Sequence, residues 1–201
     1  MCYRVQINAD KIKLKKRFNA TFQDPEIEFV TGEINGFSHP QLPVITDANP
    51  KIIQSMEWGL LPSWANDKSF QKNTLNCKIE TAAEKPSFRN SINQRCLIVV
   101  SGFYEWKHVT ENKKIIKHKF LLTSPTQELF TLAGLYSNWN GTNTFTILTT
   151  EANELMTEIH NTKKRMPVVL KQEEEELWLN HEALDHYGIR SEVELVATPA
   201  Q

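Results

Sequence analysis

The second residue of the chain carries two nucleophiles once the initiator methionine is removed. Cysteine is small enough for Met1 to be cleaved, which leaves an α-amine and a thiol on Cys2. An α-amine has a pKa of about 7.7–8.0, so an appreciable share of it is uncharged near neutral pH. The amine can attack an aldehyde to form a Schiff base, and the thiol can then close a five-membered thiazolidine ring. Without context, Cys2 is more simply interpreted as a small residue that opens a strand.

Basic side chains cluster in two segments, KIKLKKR at 11–17 and KKIIKHK at 113–119, although the net charge of the chain is −1. That overall charge argues against a general nucleic-acid binder. In the first segment, helical spacing lets Ile12, Leu14 and Phe18 face a core while the lysines remain in solvent. The acidic residues at 173–176 fit the first turn of a helix.

The three cysteines, at positions 2, 77 and 96, are an odd number and have neither a CxxC pair nor the spacing of a zinc site. We therefore expect reduced thiols, no disulfide framework, no metal and no cofactor. The first 20 residues contain no apolar segment of the kind found in signal peptides, and no long apolar run follows. These features predict a soluble, intracellular protein.

Short apolar segments separated by turn signals predict one α+β domain over residues 1–201, with strands in the middle and helices at the margins. A length of 201 residues is enough for a single hydrophobic core. The apolar pattern predicts strands at 42–46, 52–58, 95–107, 115–122, 129–136 and 143–150. Apolar residues at helical spacing predict helices at 10–20, 151–160 and 173–187.

Several short motifs occur in a specific order along the chain. They are MCYR at the start, WGLLPSWA at 58–65, LNCKIETAAEKPSFR at 75–89, RCLIVVSGFYEWK at 95–107, AGLYSNW at 133–139 and FTILTTEANELMTEIHNTKKRMPVVL at 145–170. No single one of them identifies a family, but together they resemble the SRAP (SOS-response-associated peptidase) family from residue 2 to about residue 179. The resemblance implies a strand-rich, antiparallel, barrel-like core with flanking helices.

The SRAP resemblance also implies a function in the DNA damage response. It implies a protein that detects abasic sites in single-stranded DNA and forms a covalent crosslink with them, through lyase-like Schiff-base chemistry at Cys2. It further implies that Asn76, Glu105 and His160 complete the active site. Each lies in its own motif: Asn-x-Lys-x-Glu-Thr, Gly-Phe-Tyr-Glu-Trp, and Ile-His before Arg-Met-Pro.

The chemistry of these residue types agrees with the resemblance. An abasic sugar is mostly a closed hemiacetal, so a crosslinker needs an acid or base that opens the ring and releases water, and a carboxylate and an imidazole suit that task. Glu105 lies between Tyr104 and Trp106, where burial would raise its pKa toward neutrality. Asn76 would orient reacting groups without titrating.

Each of these three residues also has an ordinary structural interpretation. A glutamate in a strand usually faces solvent, opposite its apolar neighbours. A histidine near a helix end commonly caps the helix or lies on the surface, and an asparagine after an apolar residue commonly forms a turn. Sequence spacing alone does not bring them together.

Nucleic-acid contacts are also implied by the resemblance. An abasic gap is best recognised without base specificity, by neutralising phosphates and stacking the flanking bases, at on the order of 1–3 kcal/mol per stacked base. The implied phosphate contacts are Arg4, Lys78 and Arg165, and the implied contacts around the displaced strand are Trp64, Thr149 and Pro40. For Trp64, burial beneath its own loop is the alternative.

The chain departs from the SRAP pattern at several positions. Tyr3 stands where the family usually has glycine, which would crowd the entrance to the nucleophile. Cys77 and Lys78 replace the usual alanine and arginine, and a lysine cannot form the two-pronged phosphate contact of a guanidinium. The 161–164 segment is longer than the usual step between His160 and the Arg-Met-Pro motif. The segment before Pro40 is stretched by two residues.

Two other functions remain open from the sequence. One is a thiol peptidase or autoprotease that uses Cys2 with His160, as the family's older name reflects. The other is a non-covalent single-strand-binding module that uses only its basic and aromatic surface. In the interpretation we favour, the partner is single-stranded DNA with abasic sites and not a membrane, and the protein is a monomer. It would be cytoplasmic, and associated with the nucleoid when DNA is damaged.

Overall fold

The computed structural model describes residues 2–201, and within that range it contains fourteen β-strands and three α-helices. The strands are β1 Arg4–Ile7, β2 Thr21–Phe22, β3 Gly32–Asn35, β4 Gln41–Thr46, β5 Asn49–Trp58, β6 Asn76–Lys78, β7 Arg95–Val100, β8 Gly102–Glu111, β9 Lys114–Thr123, β10 Phe130–Trp139, β11 Thr142–Glu151, β12 Arg165–Pro167, β13 Val169–Leu170 and β14 Val196–Pro199. The helices are α1 Lys11–Phe18, α2 Glu154–Ile159 and α3 Glu175–Leu179. None of these helices is long and apolar enough to span a membrane.

Five strands of the larger sheet close into a ring. They follow the order β5-β4-β7-β10-β11, and β11 then pairs in parallel with β5 through Thr144↔Glu57 and Phe145↔Trp58. The short strands β2, β6, β12 and β13 extend this sheet at its margins. Closure into a ring leaves these five strands no open edges along the paired segments.

Both faces of the ring strands are buried. On β7, Cys96 and Ile98 pack in one core cluster with Trp58, whereas Leu97 packs in a second cluster with Leu14 and Trp178 of the flanking helices. A strand that is covered on both faces reads as a continuous apolar run, as RCLIVV does.

The second sheet is antiparallel and has the order β14-β9-β8-β1-β3. β8 and β9 form a long hairpin whose two turn residues, Asn112 and Lys113, both have positive φ, as the tight turns favoured in hairpins require. β1 pairs with β8 only as far as Arg4↔Tyr104, so β8 continues past the end of β1. Glu105 is the next residue of β8 beyond this pairing, and His160 lies 3.9 Å from its carboxyl group.

The predicted α+β, strand-rich fold is confirmed, and five of the six predicted strands correspond to single strands of the structure. The segment at 95–107 divides at Ser101, where the chain crosses from the ring sheet to the second sheet. The helix predicted at 173–187 is wrong in extent, because α3 ends at Leu179 and His181 then adopts a left-handed conformation. On α1, Leu14 is buried but Ile12 is 77% exposed, since residues two apart point to nearly opposite sides of a helix.

Gly134 in β10 offers a test of the ring packing. A Cβ atom there would lie 2.3 Å from Ile98 Cδ1 and 2.6 Å from the Thr146 carbonyl oxygen. We expect Gly134→Ala to lower the free energy of unfolding by about 1–3 kcal/mol, because the backbone of β11 cannot yield. Urea unfolding measures this loss. At the control position Gly188, a Cβ would approach nothing closer than 3.4 Å, so equal losses at the two positions would contradict the packing argument.

Candidate active site

Cys2 lies just before β1 and is fully buried. Its backbone carbonyl accepts a hydrogen bond of 2.8 Å from Asn76 Nδ2. Asn76 is the first residue of β6, where it pairs in parallel with Ile147 of β11. Asn76 is therefore a strand residue and not a turn former, and it ties the Cys2 backbone to the ring sheet.

Glu105 lies in the middle of β8 and is only 3% exposed. The interpretation of this carboxyl as a solvent-facing strand residue is therefore wrong. Burial raises the pKa of Glu105 to about 7, as its apolar neighbours predicted. At neutral pH the group is poised between its acid and base forms, which is the condition that general acid–base catalysis favours.

His160 follows the last residue of α2 and faces Glu105. Its Nδ1 lies 2.8 Å from the Arg165 carbonyl oxygen, which can only accept, so Nδ1 carries the proton of the neutral ring. Nε2 lies 3.9 Å from Glu105 Oε2. Burial lowers the pKa of His160, and the positive charge of Lys163 contributes to the shift. The ring therefore presents an unprotonated Nε2 toward the carboxyl at neutral pH.

The Cys2 thiol is held in its protonated form. Burial raises its pKa well above the ordinary value, and the negative charge of Glu105 raises it further. Nucleophilic cysteines of peptidases lie in electropositive settings that lower the thiol pKa. The environment of Cys2 is the opposite.

A cleft with a volume of about 400 Å³ opens over this group. It is lined by Tyr3, Glu105, Trp106, His108, Lys117, His160, Thr162 and Lys163. The Tyr3 ring stacks on Phe37, with ring centroids 4.9 Å apart, so this departure from glycine forms one side of the cleft. A separate hollow of about 360 Å³ between α1 and α3 contains none of the predicted site residues.

Comparison with known proteins identifies the family. A family model described as SOS response associated peptidase (SRAP) matches residues 1–198. The chain belongs to the SRAP family. The sequence resemblance is therefore confirmed, and the ring sheet with its flanking cleft is the SRAP fold as this chain builds it.

Relatives of this SRAP chain include proteins named for abasic site processing. Abasic site processing protein YoqW of Bacillus subtilis (strain 168) is 37% identical over 191 residues, which cover 92% of this chain and 83% of that protein. Abasic site processing protein HMCES of Xenopus tropicalis is 32% identical over 152 residues, covering 64% of this chain and 44% of that protein. A crystal structure of a protein from Bacteroides thetaiotaomicron superposes with a TM-score of 0.89 at 32% identity, covering 100% of this chain and 92% of that one.

The two arginines predicted to contact phosphate in this SRAP site are already paired with carboxylates. Arg4 Nη1 lies 2.6 Å from Glu33 Oε1, and its guanidinium lies over the Trp106 ring. Arg165 donates two hydrogen bonds of 2.8 Å to the two oxygens of Glu80. Lys78, the third predicted phosphate contact, is exposed at the end of β6.

The other predicted DNA contacts occupy different settings. Trp64 is 49% exposed and packs edge-on against Phe70, so the alternative of a buried Trp64 is wrong. Pro40 is partly buried, and its carbonyl accepts from Trp58 N. Thr149 is fully buried, and its hydroxyl donates to the Cys77 carbonyl at 3.3 Å. A role in contacting DNA stays a prediction for each.

The cleft also contains residues that motif analysis did not assign. His108, Lys117 and Lys163 line its outer side. Two signals in the sequence pointed toward the two lysines: the basic segment at 113–119, which contains Lys117, and the extra length at 161–164, which contains Lys163. Neither signal showed that the two segments meet, because their contact depends on where α2 ends relative to the β8–β9 hairpin.

Proposed function

We propose that this SRAP protein forms a covalent crosslink with abasic sites in single-stranded DNA through Cys2, after removal of Met1. The observation that carries the proposal is the hydrogen bond from Asn76 to the Cys2 carbonyl, which anchors the nucleophile residue in a site that also contains the buried pair Glu105 and His160. Relatives named abasic site processing proteins support an abasic site as the substrate.

The proposed reaction joins one aminothiol and one aldehyde with release of one water. The uncharged amine attacks C1′ of the open sugar, giving a carbinolamine. Protonated Glu105 donates a proton to the departing hydroxyl, which leaves as water and gives an iminium ion. The Cys2 thiol then returns its proton to the Glu105 carboxylate as sulfur adds to the iminium carbon, which closes the thiazolidine ring and restores the starting state of Glu105.

The environment of each group fits its proposed step. A pKa of about 7 lets Glu105 both give and take a proton at neutral pH. The raised pKa of the Cys2 thiol keeps sulfur protonated while the amine attacks, so the amine acts first. Neutral His160, fixed through Nδ1 by the Arg165 carbonyl, is placed to accept the C1′ hydroxyl proton at Nε2 and to return it to the ring oxygen as the C1′–O4′ bond breaks.

Trapping experiments separate this proposal from the two alternatives. Only the crosslinking protein gives a covalent product that depends on an abasic site. A peptidase would cleave peptides in trans, a function that the raised thiol pKa disfavours. A binding module would give salt-sensitive complexes without a covalent product.

Retention of Met1 tests whether the Cys2 amine is the nucleophile. Protein that keeps Met1 has an amide in place of this amine, so we expect it to bind abasic single-stranded DNA without crosslinking to it. Intact mass spectrometry before and after mixing measures both the N-terminal residue and the adduct, which should equal protein plus DNA minus one water. Crosslinking by Met1-retaining protein at the rate of the processed form would contradict the proposal.

A further inference from the structure

The two arginines that the SRAP resemblance assigns to phosphate binding already form ion pairs with carboxylates. The Arg165–Glu80 contact is bidentate, and Arg165 Nη2 also donates to the Thr149 carbonyl at 2.7 Å. Arg4 shares Glu33 with Lys119. A guanidinium that is already neutralised attracts a phosphate much less than a free cation does, because the phosphate must compete with a carboxylate. Other cations near the cleft therefore contribute more to phosphate attraction in this chain.

Three basic side chains stand together on the outer side of the cleft: His108 of β8, Lys117 of β9 and Lys163 of the segment after α2. We call this group the basic wall. His108 and Lys117 are cross-strand partners in the hairpin. The positive charge of Lys163 acts on His160, so the basic wall lies within electrostatic range of Glu105 and His160.

The lysines of the basic wall are not neutralised within residues 2–201. On the same hairpin, carboxylates engage Lys107, His118 and Lys119, through Glu158, Glu111 and Glu33 respectively. Neither Lys117 nor Lys163 takes part in an ion pair of the described residues, and both are exposed. The one carboxyl group that lines the cleft is Glu105, whose pKa of about 7 leaves it only partly charged at neutral pH. The cleft therefore favours an anionic occupant.

Asn161 fixes the third member of the basic wall in place. Its Oδ1 accepts from His108 N at 3.1 Å and its Nδ2 donates to the His108 carbonyl at 2.8 Å, along the edge of β8 that β1 leaves uncovered. This two-bond contact imitates strand pairing and holds the 161–164 segment against the hairpin. Lys163 is thereby placed at the cleft, so the extra length of this segment has a structural consequence.

We propose that the basic wall is a phosphate subsite that holds a backbone diester of single-stranded DNA beside the reacting sugar. The proposal rests on the proposed function for the position of that sugar. DNA is favoured over an acidic peptide because the cleft leads directly to the aldehyde-reactive group and is flanked by the aromatic rings of Tyr3 and Trp106, on which bases can stack. Lys117 and Lys163 supply the charge, and Asn161 is a positioning residue.

The test measures how non-covalent binding depends on salt. The probe is a single-stranded oligonucleotide with one tetrahydrofuran residue, which has no aldehyde and cannot crosslink. For Lys117→Ala/Lys163→Ala we expect weaker binding and a shallower plot of log Kd against log salt, by roughly 0.7 for each phosphate that the variant no longer neutralises. Lys15→Ala/Lys16→Ala on α1 is the matched control, because it removes the same charge from exposed positions that pack beside the other core cluster. Equal slopes for wild type and the wall variant, or an equally reduced slope in the control, would overturn the subsite.

Asn161→Ala supplies a second measurement that leaves all three side chains of the basic wall in the protein. We expect its salt slope to fall to that of Lys163→Ala alone, because only Lys163 leaves the cleft; an unchanged slope would overturn the positioning role. Adding a 5′-phosphate to the probe should not alter the difference between wild type and variant, since the subsite holds an internal diester. A difference that requires the terminal phosphate would overturn that assignment.

Different results would contradict the phosphate subsite and the proposed function. If wild type crosslinks an aldehyde-bearing oligonucleotide while the slopes coincide, the subsite is wrong and the function stands. If wild type does not crosslink while the slope of the wall variant falls, the phosphate subsite stands without the covalent chemistry.

Discussion

Cys2→Ala will abolish the heat-stable adduct with abasic single-stranded DNA. Alanine is also small enough for Met1 to be removed, so the variant keeps the α-amine and loses only the thiol. Its imine retains an electrophilic C=N bond that water attacks, whereas ring closure by sulfur removes that bond. We expect an adduct that survives heating only after borohydride reduction, or strand cleavage by β-elimination in place of trapping.

A denaturing gel with and without reductant, before and after heating, measures this result. Cys2→Ser is the closest control, because its hydroxyl preserves the shape of the thiol but is a much poorer nucleophile. Both variants should behave alike if sulfur chemistry is what matters. A heat-stable, unreduced adduct from Cys2→Ala at wild-type yield would exclude the thiazolidine mechanism.

Glu105→Gln will slow adduct formation by about 10² or more, the usual contribution of a positioned general acid or base. Glutamine keeps the shape and polarity of the side chain but cannot transfer a proton. The acid form of Glu105 is available at neutral pH because burial raises its pKa to about 7. The rate advantage of wild type over the variant should therefore be largest below this pKa and shrink as pH rises through about 7. Single-turnover rates across this pH range give the ratio, and an advantage that grows with pH would contradict the acid role.

Stability measurements on the same pair of proteins exclude unfolding as the cause. The pKa of Glu105 in the folded protein lies above its ordinary value of 4.5, so ionising this carboxyl opposes folding. Wild type should lose stability relative to Glu105→Gln as pH rises from about 4.5 through about 7. If Glu105→Gln crosslinks more slowly near pH 7 but is at least as stable as wild type above pH 7, its slower rate reflects the lost proton transfer and not unfolding. Its affinity for tetrahydrofuran-containing DNA should stay close to that of wild type.

Local patterns predicted the elements of the fold well and the surroundings of the site poorly. The alternation of side chains along β8 predicted an exposed Glu105, because that pattern assumes a strand with one buried face and one solvent-exposed face. In the structure both Tyr104 and Glu105 are buried, since the hairpin is covered on both sides near its base. The high pKa of Glu105 was predictable from its apolar neighbours, but the 3.9 Å approach of His160 was not.

Contacts between segments that are distant in sequence bring the site residues together, and local sequence patterns did not predict those contacts. Asn76, Glu105 and His160 come from β6, β8 and the end of α2. Pairing of β6 with β11 positions Asn76 at the Cys2 carbonyl, and packing of α2 on β8 brings His160 to Glu105.

Glu33, which pairs with Arg4, lies outside every quoted motif. Glu80 is the glutamate of the Asn-x-Lys-x-Glu-Thr motif, but the motif does not indicate that it pairs with Arg165, 85 residues later. Family motifs named the residues to which we assign the reaction, whereas the ion pairs around them depend on contacts that no short segment specifies.

The closing pair of the ring, β5 with β11, also sets an order of events during synthesis. Contacts between distant parts of a chain form late, because the entropy of closing a long loop must be overcome first. Cys2 is translated long before β11 and His160, which both lie in the last third of the sequence. β6, which contains Asn76, pairs with β11, so it cannot reach its final position until β11 has been made. Under the proposed function, a nascent chain would therefore carry its aminothiol without its acid–base partners, and we expect full reactivity toward aldehydes only when folding is nearly complete.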